Sequence, residues 1–295
     1  MTVFGQLAHD IVDLWGRYSS SYLNGVKNTI ILAVVATVIG CIIGFACGIL
    51  QTIPHGKNDN VVKRFFLALI RVIIRIYVEV FRGTPMVLQA VFVYYGLPYF
   101  TQNAVRFTNV WVAAIVVVSV NTGAYMAESV RGGIISIDPG QTEGAKAIGM
   151  NHFQTMLYVI IPQALRNILP QIGNNLIINI KDTSVMFIIS FTDFFAIHRA
   201  AVGATYLYFP SAAIEMIGYL TMTLIASFLL RFVEKKLDGK DSYELVQTDA
   251  LTATAGTYNY PGKGTPFDER SRELDEMKRE AELADTRNKS TRGER

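Results

Sequence analysis

Lys181 and Asp182 stand side by side in a stretch, Asn167 to Thr192, that is otherwise uncharged. A charged side chain facing lipid at mid-span costs about 3 kcal/mol, so both must face protein or water. On a helix, neighbours point about 100° apart, so at most one of them aims straight at a given partner. Asn174, Asn175, Asn179, Thr183 and Ser184 make the same stretch unusually polar. Two readings stay open. Asn174, Asn175, Lys181 and Asp182 border a polar path, where paired opposite charges suit a solute carrying both signs, or they form an interhelical knot that holds a bundle together.

Enzyme chemistry finds little support. No Ser/His/Asp, His/Glu or cysteine constellation stands at catalytic spacing. His55, His152 and His198 are scattered among polar connections and His9 precedes the first apolar run, so no metal site is expected. Cys41 and Cys47 are six positions apart, about 9 Å along a helix axis, too far for a disulfide, and read as packing residues. A phosphate loop of the form G-x-x-x-x-G-K-[ST] is also missing: Gly56-Lys57, Gly239-Lys240 and Gly262-Lys263 lack both its upstream glycine and its Ser/Thr. Energy for any driven process must come from another chain.

Of the 295 residues, 51% are hydrophobic and 17% charged, and the charges crowd towards the C-terminus. That asymmetry points to a membrane. Asn28 to Ile53 holds no charge, and its core "TIILAVVATVIGCIIGFACGIL" would rise about 33 Å as a helix, enough to cross a bilayer. It is too long, and preceded by Asp10 and Asp13, to be a removable signal peptide. Further windows at Gly83–Val105, Phe107–Ala127, Asn167–Thr192 and Met216–Leu230 bring the expected count to five spans. The expected fold is an all-α polytopic membrane protein of five transmembrane helices with one structured cytoplasmic loop.

Lys57, Lys63 and Arg64, then Arg131, Lys146 and Arg166, then Arg231, Lys235, Lys236 and Lys240 fall in alternate connections, against only Arg106 and Arg199 in the others. The positive-inside rule places the N-terminus outside and the C-terminus in the cytoplasm. The expected domains are an outside or interfacial N-terminal segment, 1–23, a membrane domain, 24–238, and a charged cytoplasmic tail, 239–295, with too little apolar content to fold.

Local signals fill in this frame. Arg64, Arg71, Arg75, Glu79 and Arg82 share one face of an amphipathic helix, with Arg75 and Glu79 placed to pair, before Gly83-Thr84-Pro85 breaks it. Ala36, Gly40, Gly44 and Gly48 recur every four residues and form a smooth strip for close helix packing. Trp111, with Tyr94, Tyr95 and Tyr99, suits either an outer aromatic belt or a helix contact. Glu128 and Arg131 read as a structural or interfacial pair.

The loop "EGAKAIGMNHFQTMLYVIIP" reads as two short helices at an angle. Asp138-Pro139 starts the first, with Gln141 placed for a capping box; Gly149 ends it; Asn151 and Gln154 repeat the capping logic for the second. Gly140, Gly144, Ala147 and Ile148 share a face of the first helix that lets another surface approach closely, with Glu143 and Lys146 to its side. A loop that merely joins two spans is the alternative.

The spacing Glu143, Ala145, Gly149, Val159, Ile161-Pro162 resembles the EAA signature of the inner-membrane permease subunits of bacterial ABC importers. The resemblance covers most of residues 20–238, and "EVFRGTPMVLQAVFVYYGLP", "AYMAESVRGGI" and "IPQALRNILPQIGNNLIINIKDTS" are similar to the polar amino acid branch, which handles histidine, glutamate, glutamine, arginine and opines. Gly144 replaces the signature's second alanine, at a cost of about 1 kcal/mol in local helix stability, while Val159 and Ile161 are mild apolar swaps. The resemblance implies a coupling helix that sits in a cleft of a separate ATPase subunit, with Glu143 as polar contact, Ala145 as close-packing contact, Gly149 as the turn, and Gly144 and Ala147 on the same surface. It further implies half of a translocation path, a second permease subunit, identical or sibling, an extracytoplasmic substrate-binding protein and a bacterial plasma (inner) membrane location. No cofactor is expected on this chain, ATP and Mg being held by the partner ATPase, and no nucleic acid is involved. A stand-alone secondary transporter or channel is the rival; it calls for inverted repeats and a self-sufficient ion site, and neither is visible.

Overall fold

The structure, a computed structural model, describes residues 2–53 and 60–237. The charged tail at 239–295 and the connection carrying His55 and Lys57 lie outside them. Every regular element among the described residues is helical. Helix α1, Val3–Thr52, is 50 residues long and runs unbroken through position 23, its start capped by Thr2. At about 1.5 Å per residue it is more than twice the thickness of a bilayer core. Asn60 caps α2, Val61–Gly83, and the chain then turns extended at Thr84, as the Gly-Thr-Pro sequence predicts.

Beyond that break lie α3, Met86–Val91, and α4, Leu97–Phe100, joined by a π-helical turn at Phe92–Gly96. Helix α5, Val110–Ile135, leads into α6, Pro139–Ala147. A short α7, His152–Thr155, continues through a second π-helical turn, Met156–Ile160, into α8, Ile161–Asp182, which tightens to a 3₁₀ helix over Thr183–Ile189. Each π-helical turn ends two residues ahead of a proline, Pro98 or Pro162, whose ring would clash with the carbonyl four residues back; widening the turn relieves the clash. Helices α9, Phe194–Thr205, and α10, Tyr208–Leu237, complete the bundle.

Helices α1, α5 and α10 are long and apolar enough to cross a membrane, and the segment from His152 to Thr205 forms a further pair bent by 53°. Met86–Phe100 is apolar but shorter. Trp111 packs against the core, its ring lying edge-on to Phe191, in the non-helical stretch before α9, at 4.7 Å.

Helices α1 and α5 meet along the glycine strip. A Cβ on Gly40 would lie 2.7 Å from Thr122 Cβ, and one on Gly48 2.6 Å from Val130 Cγ1. At Gly44 it would stand 2.8 Å from the Met126 carbonyl carbon and 2.9 Å from the Ala127 nitrogen. Because both numbers rise together, α1 and α5 run parallel, and the segment between them must return the chain to its starting side. Helix α8 runs the other way: Asn179 meets Thr122, Asn175 meets Met126, and Ile168 lies against Gly133. Helix α10 starts with Ser211 beside Tyr22 and reaches Leu230 against Gly173, antiparallel to α8.

Replacing Gly44 by alanine is expected to destabilise the chain by about 1–3 kcal/mol, because the clash is with backbone that cannot swing aside. That outweighs the gain of about 1 kcal/mol from alanine's better helix propensity. Gly144, which has open space around it, should tolerate alanine without loss. Thermal unfolding of the purified chain in detergent checks both.

Candidate functional site

The loop between α5 and α8 is built by its caps. Asp138 Oδ1 accepts from Gly140 N at 2.8 Å and Pro139 occupies the first helical turn of α6. Gln141 does not close a capping box; its Oε1 accepts instead from Gln163 Nε2 at 3.2 Å, drawing α6 onto α8. At the far end Met150 N donates to Ala145 O, and Gly149 adopts φ +84°, a left-handed turn that only glycine enters without strain. Asn151 and Gln154 then form the reciprocal capping box that their spacing predicts, at 2.9 and 3.0 Å.

Glu143, Gly144, Ala147, Ile148 and Gly149 are exposed, but Ala145 is only 4% exposed. The side of α6 that carries Ala145 is used by the chain itself, against the turn at Met156–Ile160, so the free surface lacks the alanine expected there as a contact. Ile148 at 79% and Phe153 at 72% extend that surface with large apolar groups.

The four polar-path candidates on α8 fall on two faces. Asn174 and Lys181, seven apart, are exposed with Gln171 and Ile178. Asn175 is buried, its Nδ2 donating to Gln171 O at 2.9 Å and lying 3.3 Å from Met126 Sδ, and Asp182 is half-buried where α8 gives way to the 3₁₀ turn. Among the described residues neither Lys181 nor Asp182 has an ion-pair partner. The knot reading has its own residue, Asn179: its Nδ2 donates to Thr37 Oγ1 at 2.8 Å and Thr122 Oγ1 at 3.0 Å, joining α1, α5 and α8 at one buried point.

Glu128 does not pair with Arg131. Arg82, at the end of α2, reaches across to it, and its guanidinium lies 5.3 Å over the Tyr125 ring. No ion pair forms between Arg75 and Glu79. Next to this ion pair, the open carbonyls at the α2 break are satisfied by Gln89 and Asn121: Gln89 Nε2 donates to Phe81 O at 2.9 Å and Thr84 O at 3.0 Å, and Asn121 Nδ2 to Phe81 O at 3.0 Å. Periodicity could not reveal these cross-helix partners.

At the opposite end from the loop, His198 is not in a polar connection but buried on α9, in a polar cluster with Tyr22, Ser211 and Glu215. Among the described residues no group of three or more His, Cys, Asp or Glu side chains could hold a metal ion.

Residues 44–239 match the family model described as binding-protein-dependent transport system inner membrane component. The chain belongs to this family. It is thus a membrane permease subunit of the ABC importers and not an enzyme, the ATPase of such systems being a separate subunit. The permease is 33% identical over 215 residues to the glutamine transport system permease protein GlnP of Escherichia coli K12, covering 73% of this chain and 92% of that one. It is 34% identical over 219 residues to the arginine transport system permease protein ArtQ of Bacillus subtilis 168, covering 74% and 93%. A solved structure described as an amino acid ABC transporter with histidines superposes with a TM-score of 0.64 at 33% identity, over 75% of this permease and 95% of that chain.

Substituting Asn179 by alanine strands the Thr122 hydroxyl and removes the donor to Thr37, whose own hydrogen stays on Ala33 O, and should cost the permease about 1–2 kcal/mol of stability. Alanine at exposed Asn174 should cost almost nothing. Melting curves of the two variants, compared with the unsubstituted permease, test the assignment.

Proposed function

We propose that this permease forms half of the translocation path of an ATP-driven importer of polar amino acids in a bacterial plasma membrane. The relatives that transport glutamine and arginine support the substrate class. The observation that carries the mechanism is the capped, outward-facing surface of α6, a rigid handle of small residues for a foreign protein. Glu143, Gly144, Ala147, Ile148 and Gly149 contact a separate ATPase, which binds ATP and Mg; Ala145 packs inside and fixes the handle to the bundle. The permease itself binds no cofactor. A second permease, identical or sibling, and an extracytoplasmic substrate-binding protein complete the assembly.

The loop lies in the cytoplasm, so α5 and α10 run inward, α8 outward, and α1, parallel to α5, inward from an external N-terminus. The return from α1 to α5 is one composite crossing, α2 to α4, which makes five in all. In this reading the membrane domain is 24–238, the first 23 residues extend α1 outside or at the interface, and 239–295 forms the cytoplasmic tail. Asn174 and Lys181 face the path directly; Asp182 borders it from the half-buried side, and Asn175 backs them from within the bundle. Opposite charges at Lys181 and Asp182 suit a zwitterion.

Cysteines placed singly at Ala147, Ile148 and Ala145 test the handle. Cross-linking in native membranes is expected to join positions 147 and 148 to a nucleotide-hydrolysing partner and to leave 145 unreacted; no such partner at 147 or 148 overturns the reading. For the path, Asp182→Asn and Lys181→Gln are expected to keep assembly and stimulated ATP hydrolysis while losing most uptake. Loss of assembly instead would assign these residues to the bundle.

A further inference from the structure

The buried cluster at the outer end belongs neither to the handle nor to the path. Ser211 Oγ has one hydrogen and two partners, Tyr22 OH and His198 Nδ1, each at 2.8 Å. Glu215 Oε2 lies 3.5 Å from the same Nδ1. Tyr22 and Ser211 are wholly buried, and His198 and Glu215 are less than a tenth exposed. The cluster draws on three helices, α1, α9 and α10.

Around it, Phe194 N donates to Thr29 Oγ1 at 3.1 Å, Asn28 Nδ2 donates to Thr192 O at 2.7 Å, and Gly25 lets the Phe194 backbone close on α1. The start of α9 is therefore clamped to α1 through this region. The other titratable or charged groups facing the cluster are Tyr18 on α1, Asp193 before α9, Arg199 on α9, and Tyr208 and Tyr219 on α10. Asp193 is already engaged: Oδ1 accepts from Ala196 N at 2.9 Å and Oδ2 from Tyr219 OH at 3.4 Å.

We propose that Tyr22, Ser211, His198 and Glu215 form a proton-responsive clasp that holds the outer ends of α1, α9 and α10 together. With Nδ1 unprotonated, Tyr22 donates to Ser211 and Ser211 donates to His198, so each hydrogen has an acceptor. Glu215 then holds the proton, since a buried carboxylate facing a lone pair would be unpaired. Moving that proton from Glu215 to Nδ1 breaks an O–H bond, forms an N–H bond and turns a neutral pair into an ion pair, with no change in net charge. Once Nδ1 carries a proton it can no longer accept from Ser211, so three hydrogens, on Tyr22, Ser211 and Nδ1, are left for two contacts; a second proton, taken from water by Glu215, fixes that state as a cationic imidazole beside a neutral acid. Acidification therefore loosens the clasp.

This inference rests on the transport reading for its consequence, but one of its two tests does not. In detergent, the gap between the thermal midpoints of unsubstituted and His198→Gln permease, whose glutamine keeps a hydrogen-bonding side chain without a titration, is expected to shrink on acidification through the imidazole range, about pH 8 to 5. Taking this difference removes the opposite contribution of Glu215, which gains a proton on folding; in a Glu215→Gln background the gap should still shrink, over a shifted range. A gap between unsubstituted and His198→Gln permease that stays constant with pH makes the cluster a static knot and overturns the proposal. In proteoliposomes of the complete transporter, uptake is expected to vary several-fold with external pH along a single-proton curve that His198→Gln flattens. Isolated ATPase activity and the binding protein's affinity over the same range serve as controls. An uptake curve that is flat without substitution, or unchanged by it, also overturns the clasp. If both variants fail to fold, the melting profile of the unsubstituted permease decides, and a pH-independent midpoint ends the proposal. Absence of uptake at every pH would sink the transport reading, while the melting test still judges the clasp.

Discussion

Three glycines let the backbones of α1 and α5 approach so closely that no side chain fits between them, and the rest of the bundle is arranged on that seam. Inside a membrane, water does not drive helices together, so close van der Waals packing and buried hydrogen bonds must do so. Gly40, Gly44 and Gly48 supply the first, and Asn179, bonded to Thr37 and Thr122 at the same level, supplies the second. The result is a block of α1, α5 and α8 with little freedom to slide.

Both ends of the block carry features that act on it. On one side α5 and α8 leave the block directly into the capped loop, where Ala145 and the Gln141–Gln163 contact tie α6 back to the bundle. A displacement of α6 is then a displacement of the helices behind it. On the other side the buried hydroxyl, imidazole and carboxyl groups join α1 to α9 and α10. Between them, α8 leaves a face with Asn174 and Lys181 exposed.

The glycine strip, the caps at Asp138 and Asn151 and the break at Gly83–Pro85 were legible in the sequence because each is a local pattern with one physical cause. The division of α8 into an exposed and a buried polar face was only half legible: spacing shows that residues 174 and 181 share a face and that 175 shares another with 182, but not which face turns inward. Partners across helices were illegible. Arg82 with Glu128, Asn121 with the Phe81 carbonyl, and His198 with Ser211 are set by where whole helices dock, so neighbouring residues such as Arg131 misled by their proximity in sequence. Burial of Ala145 escaped notice for a similar reason, since a small residue in a polar loop carries no sign of which side it faces.

Rigid transmission from the loop to the block is open to direct measurement. Spin labels at exposed Ala147 on α6 and at exposed Val112, at the end of α5 remote from the loop, report the length of the transmitting body. As nucleotide binds to the assembled transporter, the distance distribution between these two labels should stay unchanged, while that between the Ala147 labels of the paired permeases moves by several ångströms. A shift within one chain comparable to the shift between chains would contradict a loop that is fixed to its helices.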